Sequence, residues 1–450
     1  MSGLSRLVKH AGANITGSDI ALTPTIQKLI NQNIPITIQQ SPHTVPTQTD
    51  LLVITAAIKQ DHPEIAYAKA QNIPILKYAQ MLGQLMTTKN AVAVAGTHGK
   101  STTTSLLAHI LIQANLDPSV IVGANCNQIG GGSRTTTSSS PLLIAEACEY
   151  DRSFHHFQHT HAIILNVEED HMEIYNTIED IVEAFHIFAK KIPDQGSLLI
   201  QHELTHRIPI IAGLTCQVRT IGYTPQADWQ IKLHKNITTL HHTPSDSDVA
   251  TYTNPIPGQH MAFNTAAAAI TANHLGADWQ DIIPAITSFQ GLDRRMQLIA
   301  KPTPQTTCKK VTVIDDYGHH PTEVDATLRA LRNHHKPNRL ICIFQPHQHS
   351  RTRFLMEQFA TSFSHADIVI VPDIYFVRDS QAIQQEVSAS HLVDQLRKQG
   401  TQAMHLYPFD AITEQLQMIS QDGDLIVTMG AGDVFKIAHA YTQKINQNKK

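Results

Sequence analysis

Residues 92–111 read VAVAGTHGKSTTTSLLAHIL, and this stretch decides the fold of the central part of the chain. A short apolar run ends at Gly96, Gly99 and Lys100 follow, and the apolar spacing then becomes helical. A strand that turns sharply into a helix brings backbone N–H groups and the positive end of the helix dipole to one point. The pattern therefore predicts an anion-binding turn between a buried strand and a helix.

This turn carries the residues that a bound polyphosphate needs, although it is shorter than the common P-loop. Lys100 would neutralise phosphate charge, and the Ser101 hydroxyl would reach Mg²⁺. Val94 stands where the longer G-x-x-x-x-G-K-[ST] pattern has its first glycine. A glycine-rich turn without a ligand would explain the glycines, but not a lysine followed by a row of hydroxyls. We therefore predict ATP binding by Gly96, Thr97, His98, Gly99, Lys100, Ser101 and Thr102.

The composition indicates a soluble protein of more than one domain. The chain has 450 residues, 42% apolar and 16% charged, with a formal net charge of −4. Single domains usually hold about 100–200 residues, and a membrane helix needs a run of about 20 apolar residues, which is absent here. The near-neutral charge without basic runs argues against nucleic acid as a partner. The N-terminus lacks the pattern of a secretory signal, and we expect a cytoplasmic protein.

Five scattered cysteines fit reduced thiols better than a disulfide framework or a zinc site, namely Cys126, Cys148, Cys216, Cys308 and Cys342.

Strand-like and helix-like segments alternate along the whole chain, which predicts an α/β protein with parallel sheets. The alternation restarts twice, once before residue 92 and once after the stretch GLDRR. We therefore predict three domains, at residues 1–86, 87–293 and 294–450. Residues 129–140, IGGGSRTTTSSS, are small and polar and are predicted to be a loop.

Acidic residues follow two strands of the predicted central sheet. PLLIAEA ends at Glu146 and Ala147, and HAIILNV is followed by Glu168, Glu169, Asp170 and His171. Ligands of doubly wound sheets bind at the carboxyl ends of strands, and carboxylates there can hold Mg²⁺. Solvated loop acids, and a structural role for His171, are the simpler alternatives.

Together these segments resemble the Mur ligases, the ATP-dependent enzymes that add amino acids to the peptidoglycan precursor. The resemblance runs over nearly the whole chain, through GTHGKSTT, EACEYD, NVEEDHMEIY, PGQHMAFNTAAA, GLDRR, DDYGHHPTEV, FQPHQHSRTR and MGAGD. Within the family, DDYGHHPTE and FQPH most resemble the branch that adds L-alanine to UDP-N-acetylmuramate. The resemblance implies an N-terminal Rossmann-like domain for the UDP-sugar, a central P-loop ATPase domain and a C-terminal Rossmann-like domain for the amino acid.

The resemblance also implies a role for individual residues. Lys100, Glu146, His171 and Arg295 would be catalytic, and Mg²⁺ would be held by Ser101, Glu146 and His171. Besides the turn, ATP would contact Asn264 through its adenine and Asp316 through its ribose. The amino acid would be bound by Tyr317, His319, His347 and Arg351. The alternatives are a helix-start polar residue for Asn264, a surface ion pair for Arg295, and a capping or packing role for His319 or His320.

The chain departs from the family pattern in three places. It begins at MSGLSRL, without the first strand and the glycine-rich turn, so we expect an upstream natural start and UDP-sugar contacts from Ser18, Asp19 and Thr55. Gln348 stands where an arginine is expected, which puts selectivity for alanine over glycine or serine in doubt. The carbamylated lysine of several Mur ligases is replaced by Phe185 or His186, as in the alanine-adding branch.

Other functions remain open at this stage. A ligase that recycles murein tripeptide or a folylpolyglutamate-type ligase would share the ATPase domain. A nucleotide-binding regulator or an inactive remnant would share only the turn. The sequence does not give the oligomeric state.

Overall fold

The computed structural model describes residues 1–302, 309–377 and 379–447. They form three α/β units, so the predicted fold class is confirmed. Among these residues no helix is both long and apolar enough to cross a membrane. Four of the cysteines, Cys126, Cys148, Cys216 and Cys342, are free thiols, as predicted, and Cys308 lies outside the described residues.

The first unit contains two separate two-stranded parallel sheets, β1 with β2 and β3 with β4. Ile26 and Leu29 are buried within this unit, whereas Leu4 and Leu7 are buried in a cluster with residues of the second unit's sheet. The elements are α1 Ser2–His10, β1 Gly17–Ser18, α2 Pro24–Asn31, β2 Ile36–Thr37, β3 Leu52–Ile54, α3 Pro63–Ala70, β4 Ile75–Lys77 and α4 Tyr78–Met86.

The second unit is built on a ten-stranded sheet with β5 near its centre. The strand order is β14-β13-β12-β11-β10-β9-β5-β8-β6-β7, and the pairs are parallel except at β12-β13, β13-β14 and β6-β7. The elements are β5 Asn90–Ala95, α5 Lys100–Gln113, β6 Ser119–Cys126, β7 Gly131–Arg134, β8 Leu142–Glu146, β9 His161–Ile164, α6 Ile178–Ala189, β10 Ser197–Gln201, α7 Arg207–Ile211, β11 Gln217–Gly222, β12 Trp229–His234, β13 Ile237–His242, β14 Ser247–Thr253, α8 Gln259–His274 and α9 Trp279–Ser288.

This strand order determines where the predicted ATP site lies. Because β5 lies between β8 and β9, the chain segments that leave the carboxyl ends of these three strands meet at one edge of the sheet. Residues 91–95 of β5 are completely buried, as expected for a strand that is covered on both faces.

The loop predicted for residues 129–140 is wrong in part. Gly131–Arg134 forms β7, an edge strand that pairs antiparallel with β6. Small side chains allow this short edge pairing, and Arg134 anchors its end through an ion pair of 2.5 Å with Asp117. The polar composition of this segment indicated neither its pairing nor the burial of Ser133.

The third unit has a six-stranded sheet in the order β15-β16-β20-β17-β18-β19, parallel except for β15. The elements are β15 Gln297–Ala300, β16 Thr312–Asp316, α10 Pro321–His335, β17 Leu340–Phe344, α11 His349–Phe354, α12 Met356–Thr361, β18 Ile368–Val371, α13 Gln381–Glu386, α14 Ala389–Lys398, β19 Gln402–His405, α15 Phe409–Ile419, β20 Leu425–Met429 and α16 Phe435–Gln447. The carboxyl end of β16 and the start of α10 face the second unit.

Candidate active site

The turn after β5 needs both of its glycines. Gly96 and Gly99 have φ values of 139° and 82°, a region that other residues rarely adopt. A Cβ atom on Gly99 would lie 2.6 Å from Oδ1 of Asn264, so the side chain of Asn264 packs directly against the turn. The structure thereby brings the residue predicted for adenine next to the residues predicted for phosphate.

Asn166 fixes the first half of this turn. Its carbonyl oxygen accepts from the Thr97 amide at 3.1 Å, and its Oδ1 accepts from the His98 amide at 2.7 Å. Its Nδ2 donates to the His98 carbonyl at 3.1 Å. Both amides are thus engaged inside the protein in this conformation, and the prediction that Thr97 and His98 contact ATP stays a prediction.

The second half of the turn keeps its donors for an anion. Lys100, Ser101 and Thr102 form the first turn of α5, whose amides have no helical partner ahead of them. A 14-residue helix adds its positive end at the same point. In this conformation the amides of this first helical turn are the donors that remain for a phosphate.

Lys100 is held by a carboxylate that the sequence analysis did not single out. Its Nζ lies 2.9 Å and 3.1 Å from the two carboxylate oxygens of Glu149, and it also donates to the carbonyl of Gly96 at 2.6 Å. Burial opposes the charged form, but the charge of Glu149 outweighs it, so the pKa of Lys100 is raised. Glu149 is the second carboxylate of EACEYD, and its burial at 3% exposure was the missing information.

Ser101 and Glu146, two of the three residues predicted to hold Mg²⁺, are in contact with each other, whereas the ring of His171 lies beside Glu149. Glu146 Oε2 accepts from the Ser101 hydroxyl at 3.0 Å and from the Gly123 amide at 2.7 Å. His171 has a φ of 57°, which turns its ring toward Glu149, with Nε2 3.9 Å from Oε1. A hydroxyl and carboxylates are the hard ligands that Mg²⁺ prefers, and an imidazole can complete the set.

The four residues predicted for the amino acid line the facing side of the third unit. Tyr317 and His319 follow β16, and their rings meet edge to face at 5.4 Å. The His319 ring lies 5.8 Å from that of His347, which stacks on Tyr375 at 5.4 Å. Burial, together with the charge of Arg351, lowers the pKa of His319 to about 3, so its ring is neutral. Nδ1 of His319 contacts the Tyr317 carbonyl at 3.1 Å, which leaves Nε2 as the acceptor nitrogen.

Arg351 connects the two units. Its Nη2 and Nε donate to Oδ1 of Asp170 at 2.7 Å and 3.0 Å, and its Nη1 lies 3.3 Å from Nδ1 of His347. Both partners of this ion pair are 8% exposed. Burial opposes ionisation of Asp170, but Arg351 outweighs it and holds the pKa of Asp170 well below its usual range. The pair joins the residue before His171 to the predicted amino-acid site.

Three further contacts join the second and third units beside the pair of Arg351 and Asp170, and we call this contact region the seam. The Thr322 hydroxyl donates to Oε2 of Glu168 at 2.6 Å, Nε2 of His320 lies 3.2 Å from the carbonyl of Glu169, and Nδ1 of His98 lies 3.3 Å from Oε1 of Glu323. All three join the second unit to the start of α10. The sequence analysis did not anticipate Glu323, whose carboxylate also caps α10 through the amides of His319 and His320.

Arg295 and Asp316 occupy different environments. Arg295 lies 3.5 Å from Oε1 of Glu323 and packs over the Tyr317 ring at 4.9 Å, within the seam. Asp316 is 3% exposed, and its two oxygens accept from the amides of Met296 and Gly318, both at 2.7 Å. Burial raises its pKa to about 6. Both carboxylate oxygens of Asp316 thus accept backbone hydrogen bonds in this conformation, and its contact with the ribose of ATP stays a prediction.

Gln348 is buried at 2% exposure and has a φ of 70°, which is strained for a residue with a side chain. Its Nε2 has no hydrogen-bond partner within the described part of the chain. A buried, unpartnered amide beside His347 and Arg351 is positioned to donate to a ligand.

The residues predicted for the UDP-sugar lie on both small sheets of the first unit, and their role stays a prediction. Ser18 belongs to β1 and Asp19 follows it, whereas Thr55 follows β3 of the other small sheet. Thr55 lines a pocket of about 220 Å³ with Lys77, Tyr78 and Asp151, and neither Ser18 nor Asp19 is among its lining residues. This pocket lies at the boundary between the first and second units.

Comparison with known families matches three consecutive regions of the chain. Residues 1–90 match the model described as Mur ligase family, catalytic domain; residues 94–272 match the Mur ligase middle domain; and residues 294–432 match the Mur ligase, glutamate ligase domain.

Curated relatives match over nearly their full length. The UDP-N-acetylmuramate–L-alanine ligase of Lachnospira eligens is 36% identical over 97% of this chain and 94% of its own. That of Caldanaerobacter subterraneus is 37% identical over 100% of this chain and 96% of its own. That of Clostridium tetani is 38% identical over 97% of this chain and 94% of its own.

Solved structures agree on the fold. The UDP-N-acetylmuramate-alanine ligase of Thermotoga maritima has a TM-score of 0.79 at 23% identity, covering 100% of this chain and 97% of that one. The murein peptide ligase of Psychrobacter arcticus has a TM-score of 0.69 at 23% identity, covering 99% and 96%. With three matching domains in order and relatives above 35% identity along its whole length, this chain belongs to the Mur ligase family.

Proposed function

We propose that this chain is an ATP-dependent ligase that joins L-alanine to the lactyl carboxylate of UDP-N-acetylmuramate, in the synthesis of the peptidoglycan precursor. The observation that carries the proposal is the identity of 36–38% over nearly the full length to curated UDP-N-acetylmuramate–L-alanine ligases. The meeting of phosphate-side and amino-acid-side residues at one seam supports it. The same proposal puts the enzyme in the bacterial cytoplasm, where ATP is available.

The first step would activate the sugar's carboxylate. One of its oxygens attacks the γ-phosphorus of ATP, the bond to the β,γ-bridging oxygen breaks, and an acyl phosphate and ADP result. The amides at the start of α5 bind the phosphates, and Lys100 neutralises the charge that develops on them. For this role Lys100 has to turn from Glu149 toward the nucleotide, whose phosphate charges then replace that of Glu149 in stabilising the charged lysine.

Ser101, Glu146 and His171 would hold Mg²⁺, which supplies positive charge to the phosphate oxygens when it is bound. The chain's own contribution is to keep the Ser101 and Glu146 oxygens 3.0 Å apart at the end of the phosphate turn.

The second step would form the amide bond. The amine of L-alanine attacks the acyl carbon, a tetrahedral intermediate forms, and inorganic phosphate leaves as the amine gives up its proton. Neutral His319 would accept a hydrogen bond from the amine through Nε2 and so orient its lone pair. Arg351 and the amide of Gln348 would bind the carboxylate of the amino acid. Contact between the second and third units would exclude water from the acyl phosphate.

Coupled phosphate release tests the proposal. Purified protein with ATP and Mg²⁺ should release phosphate only when both UDP-N-acetylmuramate and L-alanine are present. Glycine, L-serine and the murein tripeptide serve as competing substrates in the same assay. Faster release with the tripeptide would assign the recycling activity instead, and release that ignores the amino acid would overturn the ligase assignment.

A further inference from the structure

Glu323, in the first turn of α10, contacts three parts of the candidate active site. Its Oε1 lies 3.3 Å from Nδ1 of His98 and 3.5 Å from Nη1 of Arg295. Its Oε2 accepts hydrogen bonds from the amides of His319 and His320 at 3.0 Å and 3.3 Å. Only 13% of the side chain is exposed. One carboxylate thus connects the nucleotide turn, the arginine predicted to be catalytic and the start of α10.

The two oxygens of Glu323 have different tasks. Oε2 caps the start of α10, and a glutamine at this position of a helix can satisfy the same backbone amides. Capping therefore explains the length of the side chain but not its charge. The charge has to be explained by the two partners of Oε1, which are His98 and Arg295.

Both partners of Oε1 are cations. Burial opposes the charged form of His98, but the charges of Glu323 and Glu168 outweigh it and raise the pKa of His98 to about 10. The guanidinium of Arg295 is protonated at any pH at which the protein is folded. Because His98 belongs to the nucleotide turn itself, the shared carboxylate holds Arg295 beside the point where the phosphates are proposed to bind.

Arg295 needs such support, because its side chain is long and has many rotamers. The Tyr317 ring packs against the guanidinium at 4.9 Å, which restricts it on one side, and Glu323 restricts it at Nη1. A charge that is fixed before the reaction stabilises the transition state without having to reorganise. The two contacts together give Arg295 one position relative to the turn.

We propose that Glu323 is a positioning residue for phosphate transfer, because its Oε1 fixes the guanidinium of Arg295 beside the nucleotide turn when the second and third units meet. The inference rests on the proposed function, in which the sugar's carboxylate takes the γ-phosphate of ATP in the first step. Glu323 acts on that step through Arg295.

Glu323→Gln tests the proposal, since glutamine keeps the cap of α10 and removes the charge. ADP formation in a rapid-quench experiment with ATP, Mg²⁺ and UDP-N-acetylmuramate, but without an amino acid, measures the first step alone. We expect its rate to fall about 10–100-fold, because misplacement of a catalytic group by about 1 Å costs rates of this order. The affinity for ATP and the KM for L-alanine should not change. Glu357→Gln, exposed on α12, is the matched control.

A double-mutant cycle with Arg295→Gln separates positioning from a merely structural role. Arg295→Gln should slow the first step at least as much as Glu323→Gln does. In the Arg295→Gln background, Glu323→Gln should slow it by no more than about twofold, because residues that act through one another are not additive. Two effects that multiply, or a first step in Glu323→Gln as fast as in the wild type, would overturn the proposal.

Crystal structures of the wild type and Glu323→Gln without substrates test the positioning independently of turnover. We expect Arg295 to lie beside His98 in the wild type and to leave that position in the variant. An Arg295 that keeps its place in Glu323→Gln would refute the role of Glu323. A wild type that forms no ADP with UDP-N-acetylmuramate would instead refute the proposed function, and the two crystal structures would still decide whether Glu323 positions Arg295.

Discussion

The two sides of the candidate active site are assembled in different ways. On the phosphate side, Lys100 pairs with Glu149, and Ser101 with Glu146, within the second unit. On the amino-acid side, Arg351 and Thr322 find their partners Asp170 and Glu168 across the seam. The contacts around the phosphate turn lie within one domain, whereas the amino-acid side acquires its geometry only when two domains meet.

This difference separates binding of the nucleotide from assembly of the amino-acid site. Changes on the phosphate side should affect the chemical step whether or not the domains close. Changes at the seam should act through closure, and should therefore leave ATP binding by the second unit unaltered. Variants on the two sides can test whether nucleotide binding and assembly of the amino-acid site are separate.

The largest effect is expected at Lys100. Lys100→Ala should lower kcat by at least about 10³-fold, because the transferring phosphate loses its main positive side chain. Coupled phosphate release measures the rate, and circular dichroism measures thermal unfolding. Lys190→Ala, an exposed lysine on the same unit, is the control.

Removal of Lys100 also leaves the carboxylate of Glu149 buried without its cation, which by itself destabilises a protein. The double variant Lys100→Ala, Glu149→Gln removes that charge and separates loss of catalysis from loss of stability. Ligation that persists in a folded double variant would contradict the role assigned to Lys100.

The next effect is expected at Asp170, on the seam. Asp170→Asn keeps the size of the side chain but removes the charge that holds Arg351, and a hydrogen bond between charged groups contributes about 1.5–3 kcal/mol. We expect kcat/KM for L-alanine to fall about 10–100-fold, with the affinity for ATP alone unchanged. Steady-state kinetics and equilibrium ATP binding measure the two quantities.

Asp325→Asn is the matched control, since Asp325 pairs with Arg329 on the half-exposed face of α10. A weaker affinity for ATP alone in Asp170→Asn would contradict the expectation that ATP binding does not depend on assembly of the amino-acid site.

A substitution at Gln348 is expected to strengthen the binding of L-alanine. Gln348→Arg adds a positive charge where the amino acid's carboxylate is proposed to bind, and should lower the KM for L-alanine by up to about tenfold. Gln358→Arg, exposed on α12, adds the same charge outside the site. A KM for L-alanine that is unchanged in Gln348→Arg, or that changes equally in both variants, would show that Gln348 does not face the amino acid.

How much the sequence predicted also differs between the two sides. The strand, the two glycines and the helix of residues 92–111 follow from local periodicity and backbone freedom, and all of them are found in the structure. Glu149 was missed because only its burial against Lys100 sets it apart from a solvated loop acid. The edge strand Gly131–Arg134 was missed because its pairing depends on β6 and not on its own polar composition.

The seam was the least predictable feature. The sequence analysis grouped Glu168, Glu169 and Asp170 after one strand, and placed His319, His347 and Arg351 in the third unit. It could not say which residue of one group faces which residue of the other, because that depends on the relative position of two domains. The pairing of Asp170 with Arg351 over 181 positions of sequence is information of this kind.

The smallest effect is expected at Thr322, whose hydroxyl donates to Glu168 at the exposed rim of the seam. Thr322→Val replaces the hydroxyl by a methyl group of similar size, and a rim hydrogen bond of this kind contributes about 0.5–1.5 kcal/mol. We expect kcat/KM for L-alanine to fall about threefold, again with unchanged affinity for ATP alone. Thr361→Val, whose hydroxyl bonds only the Gln358 carbonyl of its own helix, is the control. A fall in kcat/KM as large as that of Asp170→Asn would mean that contact between the two domains depends on the rim of the seam and not on the buried ion pair of Asp170 and Arg351.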